Sequence, residues 1–216
     1  MPVMPSSLFS RAATLLAAAA VGLAPVIGLS AGTLMEDWDK VQLPPRPQVG
    51  PVQIAARTTA LLILDFTKQA CSERVPRCLA VVPSVENLMQ AARAAGAFIV
   101  YSRQPGAAEA DIDARLSPRP GDPVVAAGPN KFLGTELGKM LKDKGIDTVI
   151  VTGVRANGAV LFTGSDAALN GYNVVVPLDG MASLSAYEEQ FTAFNLVNAP
   201  GMQKVKLTTA DAISFR

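Results

Sequence analysis

Short runs of consecutive apolar residues recur from Thr58 onward: TALLIL at Thr59–Leu64, AFIVY at Ala97–Tyr101, DTVIVT at Asp147–Thr152 and YNVVV at Tyr172–Val176. A strand with one wet face alternates apolar and polar residues, whereas these runs do not, so both of their faces must be covered. Amphipathic segments separate them, and two shorter runs, Val124–Ala127 and Lys204–Thr208, bring the count to six. This pattern predicts a three-layer α/β/α sandwich built on a six-stranded parallel sheet with right-handed crossovers.

The segments between the runs read as helices. Pro83 opens one with Val85, Leu88, Met89 and Ala92 on its apolar stripe, and Gly96 ends it. Phe132, Leu133, Leu137, Met140 and Leu141 mark a second, stopped by Gly145, and Asn157–Asn170 is a third. Ser185 and Glu188 form a capping box for a fourth, which carries Tyr187, Phe191, Phe194 and Asn198 along one face. The connection Ser102–Pro123 holds four prolines and is long enough to be either a binding loop or a plain solvated one.

Residues 1–30 have the layout of a secretory signal. Arg11 is the only charge before Glu36, and it precedes the alanine- and leucine-rich run Ala12–Leu29, broken by Gly22, Pro25 and Gly28. Read instead as an anchor, that run has about the minimum length for a span, and its Gly and Pro content makes it a poor one. The expectation is therefore an exported, periplasmic or secreted protein without a stable membrane anchor. Residues 31–57, with Pro44, Pro45, Pro47 and Pro51, read as a proline-rich arm ahead of a domain over 58–216.

In an oxidising compartment the only two cysteines, Cys71 and Cys78, are expected to form a disulfide. The alternative is that Cys71, just past a strand end, is a nucleophile near Asp65 and Lys68. The 216 residues contain 19 basic and 18 acidic side chains, so no strong field favours nucleic acid or an anionic membrane. They contain no histidine, which excludes Ser-His-Asp and Cys-His catalysis and every imidazole-dependent zinc site. No cofactor and no metal are expected.

In a sheet of this kind, ligands bind beyond the carboxyl ends of the strands, near the point where strand order reverses. The first run delivers Asp65 there, and the run at Asp147–Thr152 delivers the turn Gly153–Gly158. Desolvation at a buried strand end raises a carboxyl pKa and suits a proton carrier. Asn157 is a good N-cap, and the amides beyond it would face the crevice and receive a carboxylate or an oxyanion. The same features also fit a capping carboxylate and a merely tight turn.

LLILDF at Leu61–Phe66 resembles the first-strand signature of the isochorismatase-like cysteine hydrolases, whose Asp is an acid/base. GVRANGAVLFTGSDAALNGYNVVVPLDG resembles the family's nucleophile loop, helix and strand. The matching positions are Gly153, Val154, Val160, Thr163, Asp166, Ala167, Gly171, Tyr172 and Asp179. Phe132, Thr135 and Leu137 match the segment that leads into that loop. The resemblance implies an Asp-Lys-Cys set. Here the cysteine position is Ala159 and the lysine position is Ala126, so the motifs retain Asp65 alone, with Lys131 and Lys68 as substitute lysines. Isochorismatases proper are similar in lacking that cysteine, and they protonate a vinyl ether from the Asp.

The expected function is then a family hydrolase acting on a small carboxylate, amide or enol-ether substrate by a cysteine-independent acid/base mechanism. Asp65 would move the proton, the amides near Arg155, Asn157, Gly158 and Ala159 would hold the negative group, and Arg155 and Lys131 would clamp it. Two other readings are an exported non-catalytic protein that binds a small molecule in the same pocket, and an assembly module that uses the proline-rich arm. A homo-oligomer is the further expectation that the resemblance adds.

Overall fold

The computed structural model describes residues 32–216, so the signal segment 1–30 lies outside the described residues. The described residues divide into two units, 32–43 and Pro44–Arg216. The described part of the first unit holds one helical turn, α1 (Leu34–Asp37), followed by a 3-10 turn at Trp38–Lys40. Glu36 Oε2 closes the start of α1 by accepting from the Thr33 N–H at 2.6 Å.

The second unit contains β1 (Val52–Ile54), β2 (Thr59–Leu64), α2 (Pro76–Ala95), β3 (Phe98–Arg103), β4 (Val124–Ala126), α3 (Leu137–Asp143), β5 (Thr148–Val154), α4 (Leu161–Leu169), β6 (Asn173–Pro177), β7 (Met181–Ala182), α5 (Ala186–Asn198), β8 (Val205–Thr208) and β9 (Ile213–Phe215). The main sheet runs β4-β3-β2-β5-β6-β8, with every pairing parallel. All six predicted strands are present. β7 adds a seventh, because Leu178–Gly180 turns the chain back beside the end of β5. Gly180 permits that turn, since a Cβ there would sit 2.8 Å from Pro177 Cγ and 3.1 Å from Thr152 Cγ2. β1 and β9 form a separate two-stranded parallel ribbon.

β2 shows why the sheet needs two helical layers. Leu61 and Ile63 enter the core under α2 with Val82, Val85, Leu88 and Met89, whereas Ala60, Leu62 and Leu64 enter the opposite core with α3, α4 and α5. Each fully buried Leu or Ile contributes on the order of 1.5–3 kcal/mol.

Several element boundaries differ from the sequence reading. α2 begins at Pro76, not Pro83, and Pro83 lies inside it. The buried stripe Cys78–Val82–Val85–Met89 runs across the proline, so tertiary burial outweighs the lost hydrogen bond. The helix expected from Phe132 starts only at Leu137, because Gly134 adopts φ 69° and Thr135 Oγ1 turns back to the Lys131 carbonyl. Thr208 Oγ1 donates to the Gly50 carbonyl at 2.7 Å, and β1 pairs with β9, so the compact unit starts at Pro44 rather than Thr58. The aromatic stripe Tyr187, Phe191 and Phe194 faces outward on α5, whose buried side is Thr192, Ala193 and Leu196.

Candidate functional site

Strand order reverses between β2 and β5, with β3 and β4 on one side and β6 and β8 on the other. The register Leu64↔Ser102 and Leu64↔Gly153 sets the ends of β3 and β5 on either side of Asp65. β2 and β5 approach so closely there that a Cβ on Gly153 would lie 2.7 Å from Leu64 Cβ and 2.9 Å from the Leu64 carbonyl oxygen. Asp65 is the one non-glycine residue with positive φ among the described residues, at 59°. That left-handed kink costs on the order of 1–3 kcal/mol and persists because the surroundings over-determine it.

The kink turns the Asp65 carboxylate into a nest of donors. Ser102 Oγ donates to Oδ1 at 2.7 Å, and Lys131 Nζ donates to Oδ2 at 2.6 Å. Lys131 is fully buried and Asp65 nearly so. The remaining Lys131 protons go to the Gly128 carbonyl at 2.8 Å and the Ala127 carbonyl at 3.2 Å, so all three are committed inside the protein. Burial pushes the Asp65 carboxyl above the ordinary carboxylate value, while the Lys131 charge and the hydrogen bonds from Lys131 and Ser102 pull it back.

This places the lysine. The motif position Ala126 ends β4, and the chain then turns through Ala127–Asn130 to bring Lys131 back under Asp65. Of the two substitute lysines, Lys131 is therefore the one in contact with Asp65. Lys131 donates to Asp65 and to backbone carbonyls, so it positions that carboxylate rather than clamping a ligand. Lys68 is no substitute, because it lies exposed at 3.7 Å from Asp111 Oδ1.

A cavity of about 690 Å³ opens over this pair. Asp65 lines it together with Gln104–Ala107 after β3, Ala127–Pro129 after β4, Val154 at the end of β5, and Arg155, Asn157, Gly158 and Ala159 after it. Asp65, Arg155, Asn157, Gly158 and Ala159 therefore meet in one pocket, as the sequence leads one to expect. Asn157 is not an N-cap, however. The chain winds through a π turn at Ala156–Val160 before α4, and the Gly158 and Val160 N–H groups both return to the Arg155 carbonyl, at 3.1 and 3.3 Å. The Gly158 amide is thus committed within the turn, and what Asn157 brings is its side chain. Its Oδ1 accepts from Ser183 Oγ at 2.9 Å.

The long connection after β3 forms the pocket's near wall and is tied down. Ile112 bridges to Thr67, Leu116 is fully buried, and Asp122 holds Arg93 at 2.6 Å. Cys71 and Cys78 are joined to each other, with Cα atoms 5.3 Å apart. The chain has no third cysteine, so Cys71 is not a nucleophile. Among the described residues no cluster of acidic or cysteine side chains could hold a metal, and no helix is long and apolar enough to cross a membrane. Ser102, Gln104 and Ser183 are site residues that the sequence reading missed. Ser102 was the most accessible of them, because it sits at the end of the strand next to β2.

Residues 59–211 match the model of the isochorismatase domain. The chain is 32% identical over 152 residues to a streptothricin hydrolase of Streptomyces noursei, covering 65% of this chain and 58% of that protein. It is 27% identical over 149 residues to an N-carbamoylsarcosine amidase of an Arthrobacter species, covering 56% of each. The match thus spans less than two thirds of the length of these relatives. The fold is similar to that of an isochorismatase family protein from Desulfovibrio vulgaris, with TM-score 0.66 and 22% identity over 72% of this chain and 96% of that one.

Proposed function

The chain belongs to the isochorismatase family, and we propose that it is a hydrolase of a small carboxylate, amide or enol-ether substrate that works without a cysteine nucleophile. The observation that carries this reading is Asp65 at the base of the pocket, held by Lys131 and Ser102, across from a methyl group at Ala159. The relatives' names support hydrolysis of a carbon–nitrogen bond or a related bond. With both cysteines joined in a disulfide, the nucleophile is water.

For an amide, Asp65 accepts the proton of a water beside Ala159 as that water attacks the carbonyl carbon, then returns it to the departing nitrogen. For an enol ether, protonated Asp65 donates to the double-bond carbon, water adds to the resulting oxocarbenium ion and gives a proton back to Asp65, and the hemiketal then breaks its carbon–oxygen bond to release the alcohol and a carbonyl product. Lys131 contributes by holding one carboxylate oxygen and offsetting the Asp65 charge, which leaves that carboxylate as the single proton carrier. The disulfide supports working in an oxidising compartment, in line with export.

The test is turnover of a panel of small amides, imides and enol ethers by wild type and Asp65→Asn. We expect activity that the substitution lowers by about 10²-fold or more, the range of general acid–base catalysis. Activity that persists in Asp65→Asn removes the mechanism. Ala159 favours a second reading, a binding protein without turnover. Melting-temperature shifts by panel members that are never converted would select it over the hydrolase.

A further inference from the structure

Two side-chain amides line the pocket from the strands that flank β2, Gln104 after β3 and Asn157 after β5. A hydroxyl orients each of them. Thr67 Oγ1 donates to Gln104 Oε1 at 2.7 Å, and Ser183 Oγ donates to Asn157 Oδ1 at 2.9 Å. Thr67 and Ser183 are fully buried, so each hydroxyl proton needs a protein acceptor. Among the described residues Thr67 finds this one, whereas the Ser183 hydroxyl also lies within reach of the Glu188 carboxylate, which it helps to hold below the usual carboxylate range. Turning the Gln104 amide around would present an NH2 group to the Thr67 hydroxyl and strand its proton, so that oxygen faces away and the NH2 end is left for the pocket; the Ser183 bond draws the Asn157 oxygen away in the same sense.

Ser183 is itself fixed. Its N–H donates to Glu189 Oε1 at 3.0 Å, and Arg77 grips both oxygens of that carboxylate. Gln69 supplies a contrast at the exposed rim, where its Nε2 donates to Asp111, so its oxygen is the open end. The charges complete the picture. Among the described residues, Asp65 and Arg155 are the only charged side chains lining the pocket. Lys131 offsets Asp65, whereas Arg155 forms no salt bridge among the described residues. Apart from the Gln69 oxygen at the rim, the pocket therefore offers donors and one positive charge that no contact ion pair neutralises, with the Glu188 carboxylate in its electrostatic reach.

We propose that the substrate carries a carboxylate, that Gln104, Asn157 and Arg155 receive it, and that Thr67 and Ser183 are the positioning residues that make the pocket select for it. A carboxylate is negative and accepts with both oxygens, whereas the matching primary amide is neutral, accepts with one oxygen and leaves its NH2 without an acceptor among these donors. This inference rests on the reading of the Asp65 pocket as the substrate site, and it narrows the substrate to one carrying an anion in addition to the scissile bond.

The experiment measures equilibrium binding of matched pairs, benzoate with benzamide and N-carbamoylsarcosine with its primary amide, by calorimetry or ligand-observed NMR. Wild type is expected to favour the carboxylate of at least one pair by about tenfold or more, in the range of one charge-assisted hydrogen bond. Asn157→Asp keeps the Ser183 bond but turns a carboxylate oxygen inward, and should reverse that preference. Gln104→Glu repeats the test on the other wall if the first variant folds poorly. Ser183→Ala should erode the preference and Ser183→Thr restore it, a rescue that general loosening would not produce. Preference for the amides, no binding of either member of both pairs, or an unchanged ratio in Asn157→Asp and Gln104→Glu would each overturn the proposal. Binding is read without turnover, so carboxylate selectivity in a protein that hydrolyses nothing refutes only the hydrolase reading. Hydrolysis of neutral amides without carboxylate selectivity refutes only this one.

Discussion

Replacing Lys131 with methionine tests the buried pair directly. Lys131 Nζ lies 2.6 Å from Asp65 Oδ2 with both groups out of water. At an effective dielectric of about 20, their attraction is on the order of 6 kcal/mol before desolvation is subtracted. Methionine fills most of the volume but supplies no proton. The variant leaves the Asp65 carboxylate without its cation and the Ala127 and Gly128 carbonyls without their donor. Breaking one side of such a pair costs about 3–5 kcal/mol, or a fall of roughly 6–20 °C in melting temperature for a chain of this size. The cost depends on pH with a definite sign. Asp65 has a raised folded pKa, so the folded state holds its proton more tightly than the unfolded chain does. Its contribution is fully present below the ordinary carboxyl value and is lost as pH rises through the raised one. Without Lys131 that value climbs further, so the variant should be penalised less near about pH 5, where Asp65 can neutralise itself, than near about pH 8. Urea unfolding at both pH values measures this. Asp65→Asn in the Lys131→Met background should then cost less than it does alone, because no charge is stranded. A penalty under about 1 kcal/mol at both pH values, or strict additivity of the two changes, would refute the coupling.

Ala159→Cys places a thiol in the pocket beside the proton carrier, and we expect it to be alkylated by iodoacetamide and to form an acyl-enzyme with an activated amide or ester, visible by intact mass. If the thiol stays unmodified in the folded protein, the assignment of Ala159 to the reacting position is lost. Gly153→Ala puts a methyl against the Leu64 backbone and should destabilise by about 1–3 kcal/mol. An unchanged melting curve would mean that β2 and β5 do not approach as closely as described. Free-thiol titration of protein recovered from the exported fraction should find no thiols, and reduction should cost about 2.5 kcal/mol in the chain-entropy picture of so short a loop. Two titratable thiols without reductant would reject both the disulfide and the compartment inferred from it.

The features legible in the sequence are those that periodicity encodes. Unbroken apolar runs such as Leu61–Leu64 mark strands buried on both faces, and their ends locate the residues beyond them. That is why Asp65, Arg155, Asn157, Gly158 and Ala159 could be assigned to one pocket before any fold was described. Lys131 was not legible in this way. It lies 66 residues from its partner and five beyond the motif position, so the resemblance offers it only as one of two substitute lysines, and nothing in the spacing chooses it over Lys68. Pro83 misled for a related reason. A local breaker rule cannot register that Val82, Val85 and Leu88 are anchored in a core on both sides of it.

The hydroxyls were the least visible of all. Thr67, Ser102 and Ser183 are ordinary residues in the sequence, and each matters only through one proton aimed at a partner on another element. Yet these protons decide the chemistry the pocket presents. Ser102 occupies one Asp65 oxygen and Lys131 the other, so the carboxylate proposed as the acid/base is held in place even though no cysteine stands across from it. Thr67 and Ser183 turn two amides donor-side-in, so the walls are already polarised toward an acceptor. Two oriented amides and a held carboxylate beside Ala159 fit the proposed reading, a pocket that selects an acceptor ligand with water in the place of sulfur.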